Sequence, residues 1–200
     1  MHLNENNTGE VIEKLFKKSY FISDLKIDFD DTEVYKNSLE IFKYDYQRYY
    51  ESNQILLENV FLKLELVGIL LYRIANQYFK KGDEFVATHY SNLGRLLSGF
   101  EIYYSAEIGK GLKINHGLGT VIGARVQIGK NALIHQNVTF GDKEGERPIL
   151  KDHVTVYAGA KVIGGIVCGN HSIIAANCVC FMDLPDYAVI AGVPGKIIKK

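Results

Sequence analysis

The sequence predicts an α+β protein: a helical N-terminal region, residues 1–100, followed by a parallel β-helix of hexapeptide repeats, residues 101–200, with a short C-terminal tail. Two periodicities carry this prediction. Apolar residues follow helical spacing between residues 37 and 98, whereas from Ile102 onward an apolar residue recurs every six positions. A period of six matches neither the 3.6-residue helical turn nor the two-residue alternation of an ordinary strand, and it is typical of short repeats that stack into a coil.

The helical region carries two stripes of apolar residues spaced three and four apart. The stripes comprise Leu39, Phe42 and Tyr46, and then Leu56, Val60, Leu64, Val67 and Leu71. Gly82 is predicted to end the helix that carries residues 72–81, because glycine tolerates the backbone of a helix C-terminus. Residues 1–36 show no clear period, and Asp28, Asp30 and Asp31 indicate a loop between short helices.

The repeat region is defined by a leading apolar residue and a smaller residue four positions later. The leads are Ile102, Ile108, Ile114, Ile122, Ile128, Ile134, Phe140, Leu150, Val156, Val162, Cys168, Ile174 and Cys180. The smaller residues are Ala106, Leu112, Leu118, Val126, Ala132, Val138, Val154, Ala160, Ile166, Ser172, Cys178 and Leu184. We expect both sets to point inward, with three hexads per coil and coils about 4.8 Å apart.

Two interruptions break this period. A two-residue slip separates Ile114 from Ile122, and the polar segment 141–149 is a predicted flap loop. His116 stands at the slip, where the wall should bulge, and we expect the flap to project from a corner one coil above it. A histidine on a rigid wall beside a polar loop is a candidate general base. Spacing alone leaves a simple surface histidine equally well supported.

Charge and hydropathy exclude several function classes. The chain carries 23 basic and 23 acidic side chains, so it has no basic surplus for nucleic acid. The apolar stretch 55–75 is interrupted by charged residues, each of which would cost roughly 2.5–3.5 kcal/mol at a bilayer centre. The interrupting residues are Glu58, Lys63, Glu65 and Arg73. We therefore expect no membrane span.

The three cysteines and the N-terminus indicate a cytoplasmic protein. Residues 1–20 have no apolar signal-peptide core. Cys168, Cys178 and Cys180 are odd in number, lack metal-type spacing and fall on inward phases, so we expect small buried apolar residues in a reducing compartment.

A metal enzyme on the same architecture, a zinc hydrase, would need several histidines that converge on one ion. His116, His135, His153 and His171 are too far apart in sequence to form a close pair. Only His153 and His171 share a phase, so these two should stack on one side of the helix. Two stacked imidazoles are a weak site, and we predict no metal.

Several motifs resemble the serine acetyltransferase family. They are the run from Glu101 through Ile114-Asn115-His116-Gly117 to Gly123, the segments Val138-Thr-Phe-Gly and Ala158-Gly-Ala-Lys-Val-Ile-Gly, the closing Ala191-Gly-Val-Pro-Gly-Lys, and Tyr72-Arg-Ile-Ala upstream. The resemblance implies a left-handed β-helix and an O-acetyltransferase that uses acetyl-CoA. It also implies that His116 is the catalytic base and that Glu101, where the family has Asp, orients it; a solvated corner charge is the alternative for Glu101.

The resemblance further implies a homotrimer, with a hexamer left open, and a coenzyme A groove between neighbouring subunits. Ala158, Gly159 and Ala176 match positions where small residues let the pantetheine arm approach the backbone. Lys196 is a candidate for the nucleotide phosphates, and a solvated tail lysine is the alternative.

Three departures from the family concern the acceptor and the partners. Asn115, a candidate for binding the acceptor, replaces an Asp that would meet a substrate ammonium. The flap reads Glu146-Arg147-Pro148 where the family has Arg-His-Pro, so either both residues are replaced or one is deleted and Arg147 plays the arginine's part in binding the acceptor. The segment 45–49 resembles relatives from polysaccharide-synthesis clusters. The acceptor therefore stays open between L-serine and a sugar hydroxyl of a surface or capsular polysaccharide precursor, with a non-catalytic scaffold as a third reading. The family's tail that docks cysteine synthase has no counterpart after Lys199, so we do not expect that partner.

Overall fold

The computed structural model describes residues 1–19 and 27–199. Its N-terminal region is helical, as predicted, and contains α1 (Glu5–Ser19), α2 (Thr32–Gln47), α3 (Leu57–Leu62), α4 (Leu64–Lys80) and α5 (Glu84–Ser98). Asp31 and Asp83 cap α2 and α5 by accepting backbone N–H bonds, at 3.2 and 3.0 Å. The expected loop at Asp28 and Asp31 precedes α2, while residues 20–26 lie outside the described part of the chain.

The first predicted apolar stripe is confirmed and the second is wrong as a single stripe. Leu39, Phe42 and Tyr46 are buried. Lys63, however, adopts an extended backbone (φ −128°, ψ 96°) that ends α3 and lets α4 start afresh. Leu64 consequently lies 52% exposed, because the break rotates it off the buried face. Gly82 follows α4 with φ +88°, as predicted for a residue that ends a helix.

The C-terminal half is a parallel β-helix built from three sheets, as predicted. Its strands are β1 (Glu101–Ile102), β2 (Glu107–Ile108), β3 (Lys113–Ile114), β4 (Val121–Ile122), β5 (Gln127–Ile128), β6 (Leu133–Ile134), β7 (Thr139–Gly141), β8 (Ile149–Leu150), β9 (Thr155–Val156), β10 (Lys161–Ile163), β11 (Val167–Cys168), β12 (Ile173–Ile174), β13 (Val179–Cys180), β14 (Val189–Ala191) and β15 (Lys196–Lys199). The first sheet has the order β1-β4-β7-β10-β13, the second β2-β5-β8-β11, and the third β3-β6-β9-β12-β14-β15. The predicted tail folds back as β15, which pairs antiparallel with β14.

The hexad prediction holds for every leading residue and fails at one smaller position. All the leads are buried, and so are the three cysteines, two of them leads and one at a smaller position. Leu118 is instead 67% exposed, and Thr120 occupies the interior in its place. The Thr120 hydroxyl is satisfied because it donates to the His135 carbonyl at 2.8 Å and accepts from the Val138 N–H at 3.2 Å. The inward-facing position of this repeat is therefore Thr120, two residues later than the hexad period predicts.

The flap is a tight hairpin on a different edge from His116. Lys143 and Glu146 exchange backbone hydrogen bonds across Glu144 and Gly145, both of which have positive φ. The flap joins the first sheet to the second, whereas His116 follows the third sheet. The expectation that the flap projects one coil above His116 is wrong. Phe140 lies in β7, a strand of the first sheet, so the chain has already passed the His116 corner when it leaves the coil to form the flap.

The helical region closes the open edge of the first coil, whose backbone groups have no preceding coil to pair with. The contacts run from Tyr72 to Ala106 O (2.7 Å), from Arg73 to Ile108 O (2.5 Å) and Gly109 O (2.8 Å), from Arg48 to Gly111 O (2.8 Å), and from Leu112 N to Asp45 (2.7 Å). The Tyr72-Arg73 motif thus caps the N-terminal end of the β-helix.

Within the described residues, no helix is long and apolar enough to cross a membrane.

Candidate active site

The slip consists of two residues, His116 and Gly117, that bulge from the wall. In regular coils the corner residue after the third sheet is bonded by the next coil, as when Gly159 N donates to Gln136 O at 3.0 Å. Asn137 N makes the equivalent bond to Leu118 O at 2.9 Å, so Leu118 resumes the regular corner. The extra pair has φ of 61° and 31°. A left-handed histidine costs roughly 1–2 kcal/mol and marks a backbone that its surroundings hold in place.

His116 faces a cleft of about 230 Å³ between the β-helix and the helical region. The lining comprises Tyr49, Lys63 and Glu65 from the helical region and Lys113, Ile114, Asn115 and His116 from the first coil. Asn115, predicted to bind the acceptor, is thus placed beside His116. The exposed imidazole, next to polar and charged side chains, can exchange a proton with a molecule bound in this cleft.

Tyr49 forms the fixed wall of the cleft. Its hydroxyl donates to the Ile114 carbonyl at 2.7 Å and accepts from the Ile114 N–H at 2.8 Å. Burial raises the pKa of this hydroxyl well above its usual range, with a smaller rise from the Glu65 charge, so the phenol stays protonated. Sequence reasoning did not identify Tyr49, Lys63 or Glu65 as site residues, although Tyr49 closes the 45–49 segment singled out for its resemblance.

An edge of the β-helix rises from the His116 bulge and carries small residues in its later coils. We call this the His116 edge; its successive corner residues are Leu118, Gln136, Ala158 and Ala176. Ala176 is exposed and Ala158 half-buried, and Gly159 follows with φ +75°. Lys196 pairs with Ala191 at the far end of the third sheet. The structure therefore brings the residues predicted for coenzyme A to the same side as His116.

The stacked histidines lie elsewhere. His153 and His171 stack as predicted, with ring centroids 4.6 Å apart and planes 5° apart, and Tyr187 extends the stack at 4.9 Å. They occupy the corner between the second and third sheets, away from the cleft. In the described part of the chain, no group of three or more His, Cys, Asp or Glu side chains is arranged to hold a metal ion.

Comparison with known proteins decides the family. No family model matches the chain. A serine acetyltransferase of Helicobacter pylori strain J99 is 41% identical over 137 residues, which cover 66% of this chain and 80% of that protein. The chain belongs to the serine acetyltransferase family. A serine acetyltransferase of Bacillus subtilis strain 168 is 37% identical over 137 residues, again 66% of this chain but only 63% of the relative's length.

The fold of the family is shared over nearly the whole chain. A solved serine acetyltransferase in complex with CoA superimposes with a TM-score of 0.71 at 24% identity, covering 94% of this chain and 75% of that one. This similarity extends into the helical region. The resemblance read from the motifs is thereby confirmed at the level of family and architecture.

Neither of two residues matched to the serine acetyltransferase pattern is bonded to His116 in the described part of the chain. Glu101, on β1, pairs with Arg95 at 3.3 Å, and no ion pair or hydrogen bond of the described residues joins it to His116. Arg147 donates to the Ala124 carbonyl at 3.1 Å and forms an ion pair with Asp142, so it lies against the flap's own corner. Their roles remain predictions.

Two polar atoms near the bulge lack partners. His135 Nε2 and Gln136 Oε1 are buried and have no hydrogen bond within the described chain. The His135 ring stacks on Tyr157 at 4.9 Å, and burial, together with the nearby His116, lowers its pKa. Buried polar atoms normally have a partner, and the contacts within one chain supply none for these two. Sequence reasoning weighed His135 only as a metal ligand and missed Gln136.

Proposed function

We propose that this protein is an acetyl-CoA-dependent O-acetyltransferase that acetylates L-serine. The observation that carries the proposal is the position of His116, which the two-residue bulge presents at the polar cleft and at the start of the His116 edge. An acceptor in the cleft and a thioester along the His116 edge would both lie within reach of one imidazole. The family membership supplies the reaction class, since its relatives are named for acetyl transfer to serine.

The chemistry needs one base. The unprotonated His116 nitrogen accepts the proton of the serine hydroxyl as the oxygen bonds to the thioester carbonyl carbon. The carbon–sulfur bond then breaks, and the proton held on the imidazolium passes to the departing sulfur. Glu101 is proposed to orient and stabilise the imidazolium, which requires its carboxylate to exchange Arg95 for His116.

The acetyl donor is proposed to lie along the His116 edge. Exposed Ala176 and half-buried Ala158 leave the backbone approachable. Lys196 at the end of the third sheet would meet the nucleotide phosphates. A solved serine acetyltransferase in complex with CoA shares this fold, which supports the same donor here.

A homotrimer is the proposed assembly, with a hexamer through the helical region as the larger alternative. Arg147 and His116 lie on different edges of one chain, so Arg147 could contact the acceptor only from a neighbouring copy. The three free buried cysteines support a cytoplasmic location.

Other acceptors have less support. The relatives are named for serine, so they do not favour a sugar hydroxyl. The test is release of free thiol from acetyl-CoA by the purified protein with L-serine, homoserine or nucleotide sugars. We expect turnover with L-serine to exceed that with the other acceptors; turnover only with nucleotide sugars would replace the acceptor, and none with any of them would favour a scaffold.

A further inference from the structure

The cleft at His116 presents charges of both signs from the helical region. Lys63 and Glu65 flank the point where α3 ends and α4 begins, and both line the cleft. This arrangement depends on the extended backbone at Lys63, which turns the intervening Leu64 outward to 52% exposure. The helix break that disrupts the apolar stripe therefore places two opposite charges beside the candidate base.

These charges are available to a ligand. None of the ion pairs of residues 1–19 and 27–199 involves Glu65, Lys63 or Lys113. The Lys113 ammonium lies 5.3 Å from the centre of the Tyr49 ring and is thus held against the cleft wall. Lys63 is exposed at the mouth and Glu65 is half-buried. A charge that is partly removed from water gains more from an oppositely charged ligand than one in full solvent.

The first coil supplies no negative charge at this position. Asn115, the neighbour of His116 in the cleft, is neutral, and Glu65 is the one acidic residue among the lining side chains. Two lysines and one glutamate leave the cleft with a surplus positive charge. This pattern suits a small zwitterion that carries one ammonium and one carboxylate, and it suits an uncharged sugar ring poorly.

We propose that Glu65 is a specificity-determining residue that binds the ammonium group of the acceptor, while Lys63 binds its carboxylate. The inference rests on the proposed function and names the residues that would select an amino acid as acceptor. With both ends of the amino acid fixed, its hydroxyl would be directed to His116 on the opposite wall. Charge-assisted hydrogen bonds of this kind give strong discrimination against a ligand that lacks the partner group.

Steady-state kinetics of three variants test the proposal. Glu65→Gln should raise KM for L-serine by roughly tenfold or more, with KM for acetyl-CoA unchanged. The inhibition constant of glycerate, which has a hydroxyl in place of the ammonium, should stay the same in this variant. Lys63→Met should raise KM for L-serine but not for L-serinamide, which lacks the carboxylate. Glu58→Gln, at an exposed residue of α3 outside the cleft, is the matched control and should leave all constants unchanged.

The outcomes separate the two proposals. A wild-type protein that acetylates L-serine, with an unchanged KM in Glu65→Gln, would overturn the role of Glu65 and leave the proposed function intact. An equal loss of affinity for L-serine and glycerate would also overturn it, because the effect would not depend on the ammonium. A wild-type protein with no activity on L-serine would contradict the proposed function itself, and this inference with it.

Discussion

Arg73 and Asp45 form a buried ion pair, with Arg73 Nε 2.8 Å from Asp45 Oδ2 and side-chain exposures of 3% and 0%. Both side chains also form hydrogen bonds with the β-helix: Asp45 accepts from the Leu112 N–H at 2.7 Å, and Arg73 donates to the Gly109 carbonyl at 2.8 Å. The pair therefore joins α2, α4 and the first coil. Since Tyr49 lies four residues after Asp45, just past the end of α2, the same contact also holds one wall of the cleft.

Removing the arginine should destabilise the whole chain. Arg73→Met leaves the Asp45 carboxylate buried without its partner, and we expect a loss of about 3–5 kcal/mol in the free energy of unfolding. Arg95→Met is the control, because the Arg95–Glu101 pair is exposed (side chains 59% and 29%) and should be worth about 0–1 kcal/mol. Urea denaturation measures both, and equal small losses would show that the buried pair does not hold the two halves together.

Replacing Gly117 should disturb the bulge that presents His116 and lower the activity. Gly117 has φ +31°, and a Cβ there would lie 2.5 Å from Phe100 Cδ1, so Gly117→Ala must move the bulge and its neighbour His116. We expect kcat to fall at least tenfold, since small displacements of a catalytic group are costly. Gly145→Ala in the flap is matched in its positive φ (+86°) but has open space around the added methyl group. Its kcat should change little, and equal effects of the two variants would contradict the role of the bulge.

A large side chain introduced on the His116 edge should obstruct binding of the acetyl donor. Ala176→Phe fills the His116 edge at a position that is exposed within one chain. We expect KM for acetyl-CoA to rise by roughly tenfold or more while KM for L-serine changes little, because binding of the donor alone is obstructed. Initial rates at varied acetyl-CoA concentrations measure this KM. An unchanged KM for acetyl-CoA would place the donor elsewhere.

His135 should make the fold acid-sensitive. Burial lowers its pKa below the ordinary value of about 6.5, so the folded chain binds fewer protons than the unfolded chain as the pH falls. Its contribution to stability is present above pH ~6.5 and is lost as the pH drops through the lowered pKa. The melting temperature of His135→Gln should therefore fall less than that of wild type between pH 7 and pH 5. Parallel profiles for the two proteins would contradict this.

The repeat architecture could be predicted because inward-facing positions are encoded locally. Each hexad lead faces the interior of its own coil, independently of how distant segments pack, and all of the leads are buried. Leu118 was assigned wrongly because the period shows that a slip occurs but not which two residues bulge. Only the bond from Asn137 N to Leu118 O identifies His116 and Gly117 as the extra pair.

The cleft could not be predicted because its walls come from distant parts of the chain. Tyr49 and Ile114 are 65 positions apart, and Asp45 and Leu112 are 67 apart. No local pattern specifies how a helical region docks on a coil, so Glu65 was considered only as a charge that interrupts an apolar stretch. His116 itself was found from its motif and its position at the slip.

The central claim is that His116 is the base for acetyl transfer, and the most direct measurement compares two histidine variants in the acetyl-CoA thiol-release assay with L-serine. His116→Ala should lower kcat by about 10²–10⁴-fold at an unchanged melting temperature. His153→Ala replaces another histidine with left-handed backbone (φ 60°) at a corner away from the cleft, and it should retain wild-type turnover. Equal activity of His116→Ala and His153→Ala would contradict the assignment.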